Sequence, residues 1–188
     1  MSFDYTQQAL LSSSSEIYYW SGEVKEIVMA DWEHDLMSAS AAYVCRNGGD
    51  ILEIGFGMGI SAGYIQSHSV ASHTICENHP TLIAKAEAWA ADHPNVTIVS
   101  QSWYDALSSL GVYDGIFYDT WSDNDWSHFS SSLASISKAG TLATWFNNCD
   151  AAENNFGLDV SEYDSISVTP PDNNYFTNTT YYLPKWQL

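Results

Sequence analysis

The sequence predicts an α/β domain with a mostly parallel, doubly wound sheet of seven strands, helices on both faces and a C-terminal β-hairpin. Three observations carry that expectation. Short apolar strand patterns alternate with helix-length segments between residues 50 and 146, the pattern of successive β-α-β units. A glycine-rich turn, Gly55-Phe56-Gly57-Met58-Gly59, follows the first of those strands. After residue 150 the alternation gives way to two β-rich runs separated by Pro170-Pro171 and a polar turn.

Taken in order, residues 1–28 are Ser-rich and aromatic without clear periodicity, and read as an N-terminal arm that gains order by packing on something else. Residues 29–188 form the single domain. Helix formers run without Gly or Pro over 30–45 until Arg46-Asn47-Gly48-Gly49 stops them. Residues 50–54 are the first strand and 60–67 the helix after the glycine turn. A second strand at 74–77 precedes Pro80, which suits the first turn of a helix through Leu82, Ile83, Ala86, Trp89 and Ala90. Strands at 96–99, 115–118 and 142–146 follow, and 165–168 with 180–183 make the closing hairpin.

Eight Trp, 12 Tyr and 7 Phe in 188 residues supply the apolar mass of a folded domain. Against 23 Asp plus Glu stand 5 Lys plus Arg, a formal charge of -18 that repels a phosphate backbone and argues against nucleic acid as a partner. That acidity suits either solvation in a salty interior or a field that gathers cationic substrates. The N-terminus lacks a basic region and a long apolar run, so a cytoplasmic protein without a membrane anchor is expected. Cys45, Cys76 and Cys149 are odd in number and widely spaced, as for reduced thiols, and the six histidines lack ligand spacing, so no metal is expected.

The glycine turn lies in the word Glu53-x-Gly55-x-Gly57-x-Gly59. Glycines there permit a tight turn and let a ligand approach the backbone. A dinucleotide fingerprint requires a further glycine one residue later, where Ile60 stands, so the spacing disfavours NAD. Glu77 ends the next strand, where a carboxylate can accept hydrogen bonds from both ribose hydroxyls of an adenosine-bearing cofactor. Met29, Glu33 and Met37 recur every four residues, so within a helix they share a face. The methionines could shape a cofactor surface or fill a core, and a carboxylate between them can bind a cation.

The acid before three alternating glycines and the second acid at the next strand end resemble the Rossmann-like class I methyltransferases that use S-adenosylmethionine. The words Val28-Met29-Ala30-Asp31-Trp32-Glu33, Ile51-Leu52-Glu53-Ile54-Gly55-Phe56-Gly57-Met58 and Asp114-Gly115-Ile116-Phe117-Tyr118-Asp119-Thr120 are similar, more narrowly, to guanidinoacetate N-methyltransferase and to the related arginine methyltransferases that modify the internal guanidino nitrogen. Gln101-Ser102-Trp103, Pro170-Pro171 and Tyr181-Tyr182-Leu183-Pro184 agree in order. The resemblance implies that Met29, Met37, Glu53 and the turn Gly55, Phe56, Gly57, Met58, Gly59 and Ile60 hold S-adenosylmethionine, with Glu77 on the ribose and Ser102 and Trp103 near the adenine. It implies that Glu33 and Asp119 hold a small cationic guanidino substrate, Asp119 also touching the cofactor and accepting the proton. Trp121, Asn147 and Asn148 are the remaining candidates for substrate contact; Trp121 stands where these relatives carry Tyr, and Asn147-Asn148-Cys149 replaces a Leu-Thr-Ser stretch.

The chemistry asks for such residues independently of the resemblance. A guanidinium is protonated and its lone pairs are delocalised, so a site must orient it and remove a proton as it reacts. Two carboxylates can do both, and Asp119 stands at the carboxyl end of a central strand, where open parallel sheets place ligands. A binding module that keeps the cofactor without turnover, and a methyltransferase for another small-molecule or protein acceptor, are the alternatives this sequence leaves open.

Overall fold

A computed structural model of the chain describes residues 4–121, 126–148, 155–160 and 162–188. Among these residues ten strands run in chain order: β1 (Leu11–Ser12), β2 (Glu16–Ser21), β3 (Val24–Ala30), β4 (Asp50–Ile54), β5 (Ser72–Cys76), β6 (Val96–Val99), β7 (Tyr113–Tyr118), β8 (Ser137–Trp145), β9 (Glu162–Ser167) and β10 (Thr180–Gln187). The helices are α1 (His34–Val44), α2 (Ile60–Ser67), α3 (Pro80–Ala90), α4 (Trp103–Ala106) and α5 (Phe129–Leu133).

Seven strands form one sheet in the order β6-β5-β4-β7-β8-β10-β9. The first five are parallel; β10 runs antiparallel to both β8 and β9. The predicted doubly wound sheet and C-terminal hairpin are therefore present. Alternate residues of the central strands enter opposite cores. Ile51, Phe117 and Leu142 pack under α1 with Leu36, Ala41 and Val44. Leu52, Ile54, Ile116, Tyr118 and Trp145 pack against Trp103, Phe129 and Leu133 on the other face. This period of two, apolar on both faces, is what a buried parallel strand between two helical layers requires.

The N-terminal segment departs from its description as an aperiodic arm. Residues 11–30 form a separate three-stranded antiparallel sheet, β1-β2-β3. Gly22, with φ of +65°, turns the chain between Ser21 and Val24, as a two-residue hairpin loop demands. Ile17 and Tyr19 of β2 face inward while Trp20 is exposed, so apolar residues occupy both faces and conceal the alternation. The predicted helix over 30–45 consequently begins later. Met29 and Ala30 pair with Ile17 and Glu16, and the Asp31 N–H donates to the Ser15 carbonyl at 2.8 Å. Strand pairing overrides the local helix preference of this stretch. Met29, Glu33 and Met37 thus lie on a strand, a 3-10 turn (Asp31–Glu33) and a helix, and do not form one helical stripe.

Among the described residues, no helix is long and apolar enough to cross a membrane, and no group of three His, Cys, Asp or Glu is placed to hold a metal. Cys45 and Cys76 are buried free thiols that burial pushes up to about 12. Cys149 lies outside the described residues.

Candidate active site

The sheet reverses its winding between β4 and β7, and the carboxyl ends of these strands meet there. The Gly55 N–H donates to the Cys76 carbonyl and the Asp119 N–H to the Ile54 carbonyl, both at 2.9 Å. These bonds carry the parallel ladder one residue past its end. Gly55 has φ of +95°, and a Cβ built on it would lie 1.8 Å from the Asp119 carbonyl oxygen. Glycine is therefore required twice over, by its left-handed backbone and by the approach of the neighbouring strand. Gly59, also left-handed, leads into α2.

An open cleft of about 630 Å³ lies along these strand ends. Gly55, Phe56, Gly57, Met29, Glu77, Ser102, Trp103, Asp119 and Trp121, all sequence candidates, contribute to its wall. Glu77 is buried, and burial raises its pKa although three backbone N–H groups donate to it. Phe56 supplies one to Oε2; Asn78 and His79 supply two to Oε1, each at 2.9 Å. A carboxylate offers about four lone-pair positions, so one remains for a ligand hydroxyl, fewer than the two the sequence suggested. Ser102 caps α4, its Oγ accepting the Tyr104 N–H at 3.2 Å. Met29 Sδ accepts from the Met58 N–H at 3.1 Å, which ties β3 to the glycine turn.

The other cofactor candidates support the cleft from behind. Met58 and Ile60 pack partly buried against the core under α1, and Met37 is fully buried within it. Glu53 is fully buried. One of its oxygens accepts from the Ser61 hydroxyl and the other pairs with His73 Nε2 at 2.9 Å. Gln66 Nε2 lies 3.2 Å from the opposite ring nitrogen of His73, so the imidazole donates through Nε2 and accepts through Nδ1.

A second hollow of about 530 Å³ is lined by Val28, Glu33, Asp119, Thr120, Trp121, Phe146, Asn148 and Tyr175. Val28, Asp119, Thr120 and Trp121 belong to both linings, so the two spaces share a wall. Glu33 is buried, and Oε1 accepts from the Ala30 N–H at 2.8 Å and the Tyr175 hydroxyl at 2.6 Å. The Trp32 indole N–H donates to that same hydroxyl at 2.9 Å, fixing its direction. Asn148 joins this lining, whereas Asn147 is buried with its side-chain amide donating to the Tyr182 carbonyl at 3.0 Å. Asn147 thus ties β8 to β10, and its backbone N–H donates to the Tyr181 hydroxyl at 3.0 Å. Tyr175 had no part in the sequence reading, and Val28 and Thr120 stood in the words that carry the resemblance without being named as site residues.

Both carboxylates are held above their ordinary range. Burial pushes Glu33 to about 7 against the lowering effect of its two donors. Asp119 is raised well above the usual value, by burial first and then by the charges of Glu33 and Glu53. Asp119 lies on the wall common to the hollow and the cleft. A planar cation placed between the two oxygen pairs offsets the cost of holding like charges together in an apolar enclosure. Trp121, Phe146 and Tyr175 bring aromatic side chains to the same lining, a setting in which a cation can be held against a ring face.

The raised Glu33 fixes the sign of a stability effect. From its ordinary value of 4.5 up to about 7, the folded carboxyl binds more protons than the unfolded one. Its contribution is therefore full below 4.5 and lost as pH rises through 7. The melting temperature of the ligand-free protein is expected to fall from pH 5 to pH 8 less steeply in Glu33→Gln than in the parent. Scanning fluorimetry at both pH values checks this, and parallel falls would count against a buried, protonatable Glu33.

This fold, with its glycine turn and strand-end acids on one cleft, defines a class I methyltransferase. Solved structures of similar fold include spermidine synthase from Thermotoga maritima, at 12% identity and a TM-score of 0.66 over 95% of this chain and 72% of that one. A precorrin-6y C5,15-methyltransferase from Geobacter metallireducens aligns at 14% identity and a TM-score of 0.64 over 82% of this chain and 88% of that one. Residues 22–147 match the family model for guanidinoacetate N-methyltransferase, and the chain belongs to that family. Curated relatives include protein arginine N-methyltransferase 2 of Eremothecium gossypii, 41% identical over 108 residues, which is 52% of this chain and 26% of the relative. The protein of the same name from Kluyveromyces lactis is 38% identical over 131 residues, 64% of this chain and 30% of the relative. The chain thus spans less than a third of the length of these relatives.

Proposed function

We propose that the chain is an S-adenosylmethionine-dependent N-methyltransferase acting on a guanidino nitrogen of a guanidinoacetate-like or arginine-like acceptor. One observation carries this reading: Glu33 and Asp119 line a single hollow that shares its wall with the glycine-turn cleft. The cleft suits an adenosine-bearing group. It combines a buried acceptor, Glu77, with the apolar bodies of Phe56, Leu82 and Trp103, and the buried Trp121 Nε1 has no hydrogen-bond partner among the described residues.

When bound there, S-adenosylmethionine supplies a methyl group on a sulfonium centre. The residues of the chain do the remainder. Glu33, locked by Ala30 and Tyr175, orients the guanidinium through charge-assisted hydrogen bonds. Asp119, shared by both spaces, accepts the proton that the reacting nitrogen loses. The aromatic wall excludes water and strengthens both interactions. The name of these relatives, protein arginine N-methyltransferase 2, supports the guanidino group as the recognised chemistry, and it adds arginine within a protein to the acceptors worth testing.

The test is transfer of a labelled methyl group to guanidinoacetate, free arginine and an arginine-containing peptide, with the product located by mass spectrometry. Methylation of a guanidino nitrogen in at least one acceptor is expected. Cofactor binding with no transfer to any of the three would favour the binding-only alternative.

A further inference from the structure

The N-terminal segment brings to the cofactor cleft a tyrosine whose hydroxyl has no hydrogen-bond partner among the described residues. Tyr5 opens a short 3-10 turn (Tyr5–Gln7) capped by Asp4, whose side chain accepts the Thr6 N–H at 3.0 Å. The Tyr5 ring is 8% exposed and lies 5.0 Å from the His79 ring and 6.5 Å from that of Tyr19. Its hydroxyl is buried without a hydrogen-bond partner among the described residues, yet Tyr5 lines the same cleft as Glu77, Asn78 and Leu82. Leaving a buried hydroxyl unpaired is costly, so it marks a position where a hydrogen-bond partner belongs.

The segment is also fastened to the strand end that carries Glu77. His79 accepts the Thr81 N–H on Nδ1 at 3.2 Å, so Nε2 carries the proton and donates it to the Gln8 carbonyl at 3.0 Å. Lys85 of α3 donates to Ser12 Oγ at 2.6 Å. The His79 N–H meanwhile holds Glu77. His79 therefore links Glu77 to the segment that carries Tyr5. Three of the four acceptor positions on Glu77 are filled by backbone donors, which leaves it able to take one ribose hydroxyl but not two.

We propose that the Tyr5 hydroxyl supplies the second half of the ribose site: one ribose hydroxyl donates to Glu77 and the other pairs with Tyr5. The proposal rests on the cofactor reading above. In it, residues 4–8 are part of the binding site, and a chain whose N-terminal segment is displaced binds the cofactor weakly even with the glycine turn intact.

The experiment is calorimetric titration of S-adenosylhomocysteine, and of 5′-methylthioadenosine, into the full chain and its Tyr5→Phe variant. The substitution keeps the ring and removes only the oxygen. A loss of about 5- to 30-fold in affinity for both ligands is expected, with the ligand-free melting temperature unchanged or slightly raised. Affinity equal to the parent overturns the proposal. A loss confined to S-adenosylhomocysteine moves the contact to the amino-acid end and overturns the ribose assignment, as does a lowered melting temperature in proportion to the lost affinity. If the parent binds neither ligand, the cofactor reading itself fails.

Discussion

Asp119→Asn is expected to lower methyl transfer by about 10²- to 10⁴-fold, the range over which a positioned proton acceptor contributes, while S-adenosylhomocysteine affinity stays close to that of the parent. The amide matches the carboxylate in size, so the wall shared by the two hollows keeps its shape. What it loses is the charge that faces the cation and the lone pair that takes the proton. Glu33→Gln is expected to have a smaller effect, seen mainly in acceptor affinity, because Glu33 orients the guanidinium without accepting its proton. Stopped assays with saturating acceptor separate the two effects. Parent-like turnover in Asp119→Asn would remove the proton-transfer role, and equal losses in both variants would merge the two roles into one.

Gly55→Ala is expected to abolish cofactor binding and to destabilise the fold by about 3 kcal/mol or more, the size reserved for backbone strain combined with overpacking. Its new methyl group would stand 1.8 Å from the Asp119 carbonyl oxygen at a φ of +95°. That atom is backbone, held by the Asp119 N–H bond to the Ile54 carbonyl, so no rotamer relieves the contact. The strand ends must separate, and the separation displaces Asp119 itself. Gly63→Ala is the matched control, because its Cβ meets nothing within 4 Å and it lies within α2. There the exchange is expected to be neutral or to stabilise by up to about 1 kcal/mol. Urea titrations of both variants check the contrast; similar stabilities would mean that the two strand ends are not packed this closely.

The legible parts of the fold and site are those where local pattern and tertiary burial agree. β4 and β6 coincide with the runs at 50–54 and 96–99, and α2 with 60–67, since strands buried on both faces appear as short apolar blocks between turn signals. Glu77 and Asp119 were legible through topology alone, because ligands gather at the carboxyl ends of such strands. Met29 lines the cleft, but from a strand and not from the helical stripe that its spacing suggested. The stretch after Ala30 has helix-forming residues, and only the ladder with Ile17 reveals that Met29 is in a strand. Tyr5 and Tyr175 left no local signal. Tyr175 meets Glu33 across 142 positions of chain, a contact made by the loop between β9 and β10, which no periodicity announces. Asn147 shows the opposite error: a polar residue near the site whose amide serves β10 instead.

The central claim is that the carboxylates of Glu33 and Asp119, which line one hollow beside the cofactor cleft, take up a planar cation. Equilibrium binding of guanidinoacetate and arginine to the protein saturated with S-adenosylhomocysteine, measured at pH 6 and pH 8, tests it most directly. Glu33 and Asp119 are both held above their ordinary values, so a guanidinium must displace protons to bind. Affinity for the bound acceptor is expected to rise about tenfold or more over that interval, up to about one decade per pH unit for each proton released. The rise should be smaller in Glu33→Gln. Affinity independent of pH, and unchanged in both Glu33→Gln and Asp119→Asn, would contradict it.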